Sequence, residues 1–167
     1  GDTLPPLYVL GAILEIRSID SKRFTALKNF IHGPGKNSLQ KDEVLYGIWI
    51  NTKQDFNIHH YEKVGQRKML AIAIASLAAL LKLSKSGIIE DARLAWGSVG
   101  PKIIASEKIN KALIGKTLTE ASLKLIVPLI REAVSPIDDI RASAHYRKMV
   151  SENLIFRLLK YGGHNND

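Results

Sequence analysis

Over the first 68 positions apolar and polar residues alternate in short bursts, and after that the apolar stretches lengthen. Ala12, Leu14 and Ile16 stand against Ile13, Glu15 and Arg17, a period of two that predicts a strand over 12–18. Ile19 to Arg23 carries polar turn signals, and Phe24 to Phe30 fits either a short strand or a helical turn. His32-Gly33-Pro34-Gly35-Lys36-Asn37 reads as a surface loop. Val44 to Ile50 (VLYGIWI), with its aromatic and β-branched content, predicts a strand, and Ile58 to Arg67 predicts another. At Met69 the character changes, because Met69 to Leu83 is almost entirely apolar and rich in alanine. Alanine and leucine favour helix, whereas the I-A-I-A alternation favours strand, and composition alone selects helix. After the Lys85-Ser86-Gly87 turn, Ile88 to Trp96 alternates again, and a hairpin results if both flanks are strands.

Past Gly97-Ser98-Val99-Gly100-Pro101 the period becomes helical. Ser106 is placed to cap a helix whose Ile109, Ala112 and Leu113 share a face and which Gly115 stops. Thr117 with Glu120 makes a capping-box pattern ahead of a second helix, which Pro128 should kink near Lys124. Ser135, Pro136 and the acids Asp138 and Asp139 predict the start of a third helix that runs to Tyr161 and ends at Gly162 and Gly163. On that helix Asp138 and Arg141, three apart, would pair. The plan is α+β, strand-rich first and helical last, in two lobes.

Composition narrows the chemistry. A chain of 167 residues that is 46% hydrophobic can bury a real core. The absence of cysteine removes disulfides, thiolate zinc sites, iron–sulfur ligation and a cysteine nucleophile from this chain. Net charge is +8, which suits polyanions, anionic cofactors or an acidic partner subunit. The basic residues are scattered, however, with no run of five or six, so nucleic acid is not the expected partner. Met69 to Leu81, the longest apolar run, is broken by Ser76 and falls short of the roughly 20 residues of a membrane span. No span is expected, and without a basic leader-like region the expected location is cytoplasmic. His59 and His60 invite a metal reading, but successive strand side chains point to opposite faces, and no metal site is expected. The glycine loop fails the phosphate-loop pattern twice, with Phe30 where a glycine is needed and Asn37 where Ser or Thr is needed. No nucleophile–His–acid arrangement is recognisable, so no catalytic residue is assigned.

Three segments, taken together, resemble one family. They are Gly1-Asp2-Thr3-Leu4-Pro5-Pro6-Leu7 with the following LGAILEI, Tyr61-Glu62-Lys63-Val64-Gly65-Gln66-Arg67-Lys68, and the long Ser135-Pro136-Ile137-Asp138-Asp139-Ile140-Arg141-Ala142-Ser143-Ala144-His145-Tyr146-Arg147. The family is the flavin-binding medium subunit, or middle domain, of molybdenum hydroxylases such as carbon monoxide dehydrogenase and xanthine dehydrogenase. IIEDARLAWGSVGP fits its closing domain, and the likeness spans essentially the whole chain.

The resemblance implies the distal part of a mixed FAD-binding lobe over 1–68, followed over 69–167 by a small antiparallel sheet packed on a three-helix bundle. It turns residues 74–98 into hairpin strands, against the composition. It implies FAD as cofactor, and as partners an iron–sulfur subunit, a molybdenum cofactor subunit and an N-terminal part of the FAD domain. Electrons would pass from the molybdenum centre through iron–sulfur clusters to flavin and on to an acceptor. In the family two glycine-rich loops, upstream of the segment matching Gly1, hold the pyrophosphate, and this chain carries neither, so FAD binding by the chain alone is not expected. Carried over by position, Asp2 resembles the carboxylate that bonds sugar or ribityl hydroxyls, the alternative being a solvated aspartate. Lys63 is similar to a lysine whose ammonium reaches the flavin, and Tyr61, on the same strand face, would stack on or shield the ring. An exposed lysine and a core-edge tyrosine are the alternatives. Leu45 matches a position lining the cofactor pocket, or simply packs its strand. Arg141, Tyr146 and Arg147 read as structural or subunit-facing. A non-catalytic assembly module that docks partner subunits is the competing function, followed by a basic polyanion-binding domain that rests on charge alone.

Overall fold

Short alternating patterns produce short strands. In a computed structural model that describes residues 1–67 and 72–162, β1 (Ile13–Arg17) lies at the centre of an antiparallel sheet between β2 (Lys22–Ala26) and β5 (Val44–Trp49). Leu14 and Ile16 turn inward and pack with Ala12, Leu27 and Phe30, against α1 (Leu4–Val9) and the single turn α2 (Leu27–Phe30). Both readings of 24–30 are thus realised, strand first and helical turn after it. The glycine loop is a tight hairpin, β3 (Ile31–Gly33) and β4 (Lys36–Asn37), turned through Pro34 and Gly35.

The second sheet, in the order β6-β7-β8, explains the alanine-rich run. β6 (Ile58–Val64), β7 (Ala75–Leu83) and β8 (Ile89–Gly97) are antiparallel, with Ala78 opposite both Tyr61 and Ala95. β7 is central and buried on both faces, which makes a strand read as a continuous apolar run without period-two alternation. On one face Ala75, Leu77, Ala79 and Leu81 enter the main core. On the other, Ala78, Leu80 and Ala95 leave room for Val9 of α1. The helix that composition selects is therefore overturned where it overlaps β7, because two layers cover this segment and small side chains let both approach. Met69 to Ala71 of that expectation, and Gly163, lie outside the described residues.

Three helices and a terminal 3-10 segment cover the other face. They are α3 (Glu107–Leu113), α4 (Glu120–Ala133), α5 (Ala144–Leu154) and Ile155–Tyr161. Leu123, Ile126 and Ile130 form the buried stripe of α4, and the helix is continuous through Pro128. Trp96, fully buried, donates its indole N–H to the Ser151 carbonyl at 3.1 Å and ties β8 to α5. Three expectations at helix starts are corrected. Ser106 precedes α3 but its side chain makes no capping bond. Thr119, and not Thr117, caps α4 by accepting from the Ser122 N–H. The third helix begins at Ala144 with Ser143 as cap, and not at Pro136, because 135–143 is held as a loop.

That loop is organised by arginines. Asp139 pairs with Arg141 and with Arg147, so the expected Asp138–Arg141 pair does not form; Asp138 instead accepts from the Ala144 N–H. Arg147 is buried and donates to the Ile74 carbonyl at 2.7 Å, the Ser98 carbonyl at 3.1 Å and Asp139 at 2.6 Å. One guanidinium thereby joins the start of β7, the turn after β8 and the loop before α5. Ser98, the turn residue it holds, has φ of 64°. Among the described residues no helix is long and apolar enough to cross a membrane.

Candidate functional site

Period-two alternation puts Ile58, His60, Glu62 and Val64 on one face of β6, and His59, Tyr61 and Lys63 on the other. The two histidines accordingly diverge: His60 is buried edge-on to Tyr161, with ring centroids 5.9 Å apart, whereas His59 is exposed. The Tyr61 face continues across the sheet through the register, Lys63 to Ser76 to Gly97 and Tyr61 to Ala78 to Ala95. These small residues admit α1. A Cβ on Gly97 would meet the Ser76 hydroxyl at 2.6 Å and Pro5 Cγ at 2.8 Å, so only glycine lets the first turn of α1 come this close. Pro5 and Pro6, at the start of that helix, fix where the preceding residues go.

The consequence is that Asp2, 61 positions away in sequence, reaches Lys63: the ammonium donates to the Asp2 carboxylate at 2.5 Å. Tyr61, on the same face of β6, lies near enough to this pair to feel the Asp2 charge. The bond to Asp2 raises the Lys63 pKa, and the ammonium stays charged throughout the neutral range. Burial first, and then the Asp2 charge, raise that of Tyr61, which therefore remains a neutral phenol. One carboxylate, one ammonium and one half-exposed aromatic ring with its hydroxyl are gathered at the open side of β6. Such a set can accept from hydroxyls, place positive charge beside an electron-rich ring and stack on a flat ligand.

The fourth sequence-derived position lies elsewhere. Leu45 is on β5, opposite Ile16, and 43% exposed. The contacts that gather Asp2, Tyr61 and Lys63 do not include it. Between the β3–β4 hairpin and the Ser98–Ile103 turn a cleft of about 510 Å³ begins at Gly1 and Leu4. Among the described residues no group of three or more histidines and carboxylates is placed to hold a metal ion.

Two features escape a reading of the sequence alone. Glu15, next to fully buried Ile16, is itself 2% exposed; its carboxylate accepts from Arg17 at 2.6 Å and from the Trp49 indole at 2.8 Å. Arg17 also lies over the Tyr46 ring, 3.4 Å from its centroid. Glu15 in a period-two strand reads as a solvent residue; only the cross-strand register, with Glu15 opposite Gly47, reveals the space it fills. Ser76 and Gly97 are equally silent, since their meaning depends on α1 lying across them.

Residues 59–161 match the family described as the CO dehydrogenase flavoprotein C-terminal domain. The glyceraldehyde dehydrogenase medium chain of Sulfolobus acidocaldarius is 30% identical over 154 residues, covering 92% of this chain and 54% of the relative. The xanthine dehydrogenase FAD-binding subunit of Escherichia coli O157:H7 is 29% identical over 148 residues, covering 87% and 50% respectively. A chain of Cu,Mo-CO dehydrogenase in its cyanide-inactivated form superposes with a TM-score of 0.88 at 25% identity, over 96% of this chain and 56% of that one. The chain spans about half the length of the curated relatives it matches.

Proposed function

Since the chain belongs to the family of CO dehydrogenase flavoprotein C-terminal domains, we propose that it serves as part of the FAD-binding subunit of a molybdenum hydroxylase. FAD, when bound, supplies the electron relay between iron–sulfur clusters and an acceptor. The iron–sulfur and molybdenum cofactor subunits are the partners of this reading, as is the remainder of an FAD domain. Its division of labour assigns residues 1–68 to the flavin lobe and 69–167 to the closing domain, with β6 hydrogen-bonded to β7 across that division.

The observation that carries the proposal is the convergence of Asp2 and Lys63 with Tyr61 beside them. These residues fit the ring and hydroxyl portion of a flavin. Asp2 accepts from hydroxyls, Lys63 holds positive charge where negative charge develops on reduction, and Tyr61 covers or stacks on an aromatic surface. They do not fit its pyrophosphate. Among the described residues, the glycine hairpin at 33–35 is a two-strand turn and forms no amide nest at a helix N-terminus. Leu45 is retained as a pocket-lining candidate on the first sheet, reached from the side of β5.

Lys63→Ala in the flavin-loaded subunit tests the assignment. Loss of the ammonium should lower the midpoint potential by about 20–30 mV, about 1 kcal/mol for a two-electron couple, and Lys63→Arg should restore most of it. An unchanged potential together with unchanged FAD occupancy removes Lys63 from the site.

A further inference from the structure

Among the described residues the two three-stranded sheets have four edge strands, and three of them carry charge: β2 has Lys22 and Arg23, β6 has Glu62 and Lys63, and β8 has Glu90, Asp91 and Arg93. Charged side chains on an edge discourage a further strand from adding there. β5, Val44-Leu45-Tyr46-Gly47-Ile48-Trp49, has none. It pairs with β1 on one side only, so every second residue turns its N–H and C=O away from the sheet. It is also apolar on both faces, with Val44 60%, Leu45 43%, Tyr46 60%, Ile48 48% and Trp49 58% exposed. Ile13, opposite Trp49, and Phe24, opposite Glu15, extend the apolar surface on the outer face of the same sheet. Five large hydrophobic residues in six positions, on an undefended edge, form a template for one more strand.

The outer face is preset for contact. Glu15 accepts from the Trp49 indole and from Arg17, and Arg17 in turn covers Tyr46, so both rings are held in place. Satisfying Trp49 and Arg17 within the chain leaves the exposed ring surfaces as an apolar contact. An occupant must then be an extended polypeptide that supplies backbone hydrogen bonds to β5 and apolar side chains to both its faces, the mode of strand addition.

We propose that β5 is the assembly seam of the flavin subunit: a strand from the half of that subunit that the relatives possess beyond their match to this chain adds to β5 and buries its apolar faces. This choice of occupant rests on the proposed function and on the match covering 54% and 50% of the two relatives, which leaves about as much polypeptide again to supply the strand.

Hydrogen–deuterium exchange with mass readout tests this on the 167-residue chain alone and on the same chain fused to the unmatched half of the Sulfolobus acidocaldarius medium chain. FAD is quantified in each sample by its visible absorbance. In the fusion the 44–49 amides should exchange at least about tenfold more slowly than in the chain alone, and Ile48→Lys should cancel that protection. Unchanged exchange in the central strand β7 verifies that the Ile48→Lys chain is folded. Protection without flavin supports the seam and contradicts the flavin reading. Flavin bound with 44–49 still exchanging as in the chain alone overturns the seam and leaves the flavin reading standing. Absence of both overturns the seam. If sedimentation shows the chain alone to be a dimer with 44–49 already protected, the occupant is a second copy and the proposal is wrong.

Discussion

Gly97 illustrates how a single side chain's absence positions a distant charge. Pro5 and Ser76 both occupy the space where a Cβ would be, and Asp2 depends on the path that Pro5 sets. Gly97→Val should cost about 1–3 kcal/mol by overpacking, measured by urea unfolding. Titration makes its own statement at this scale. Two hydrogen bonds from Arg23, together with the Gln40 N–H, depress the Glu43 carboxyl to about 2, and Arg141 first among its partners holds Asp139 well below the usual carboxylate range. Burial is the leading cause that lowers the His60 pKa, with Lys160 adding to it. All three shifts have one sign: as pH falls, the unfolded chain takes up protons that the folded chain refuses, so stability falls. The histidine contributes from about pH 7 downward and the carboxylates from about pH 5 downward. Thermal midpoints should therefore decline between about pH 7 and 5 in the native chain, and the decline should flatten in His60→Leu. An equal slope in both chains would show that His60 is not the group responsible.

For the elements, what the sequence reveals depends on how far each cause lies along the chain. Period two in 12–18 and the aromatic and β-branched residues of 44–50 are local, and strands lie within both, as one does within 58–67. The same local periodicity suffices to put Tyr61 and Lys63 on one face of β6. The burial of β7 on both sides is not local, since α1 and the three helices that cover it come from opposite ends of the chain. Its alanines count as helix formers in composition and act as spacers in the fold. The start of α5 is missed for a related reason. Ser135-Pro136 with two following acids has the chemistry of a helix start, but Arg147 and Arg141 bind Asp139 and hold the segment open until Ser143. Alanine substitution separates the two assignments: Ser143→Ala should lose about 1 kcal/mol of unfolding free energy as a lost cap, and Ser135→Ala close to nothing. The reverse order would mean that α5 begins earlier than Ala144.

Across the whole molecule, two sheets share α1, whose one side meets β7 and β8 and whose other meets the core of the first sheet. The candidate flavin site lies where this helix begins, and that explains why it is legible only in part. Resemblance supplies Asp2, Tyr61 and Lys63 separately; that Asp2 and Lys63 are bonded, with Tyr61 alongside, follows from the packing of α1 on Ser76 and Gly97. Leu45, carried over by the same resemblance, lies on an edge strand whose exposed apolar surface no local pattern distinguishes from a core strand. Under the proposed function the donor set answers to the ring and hydroxyls of a flavin and leaves its phosphates to other backbone amides. FAD fluorescence quenching, titrated into the 167-residue chain alone and into the chain joined to the unmatched half of the Sulfolobus acidocaldarius medium chain, measures this division directly. The joined protein should bind one FAD per chain, and the chain alone should leave the fluorescence unchanged; tight stoichiometric binding by the chain alone, or none by the joined protein, would contradict the account.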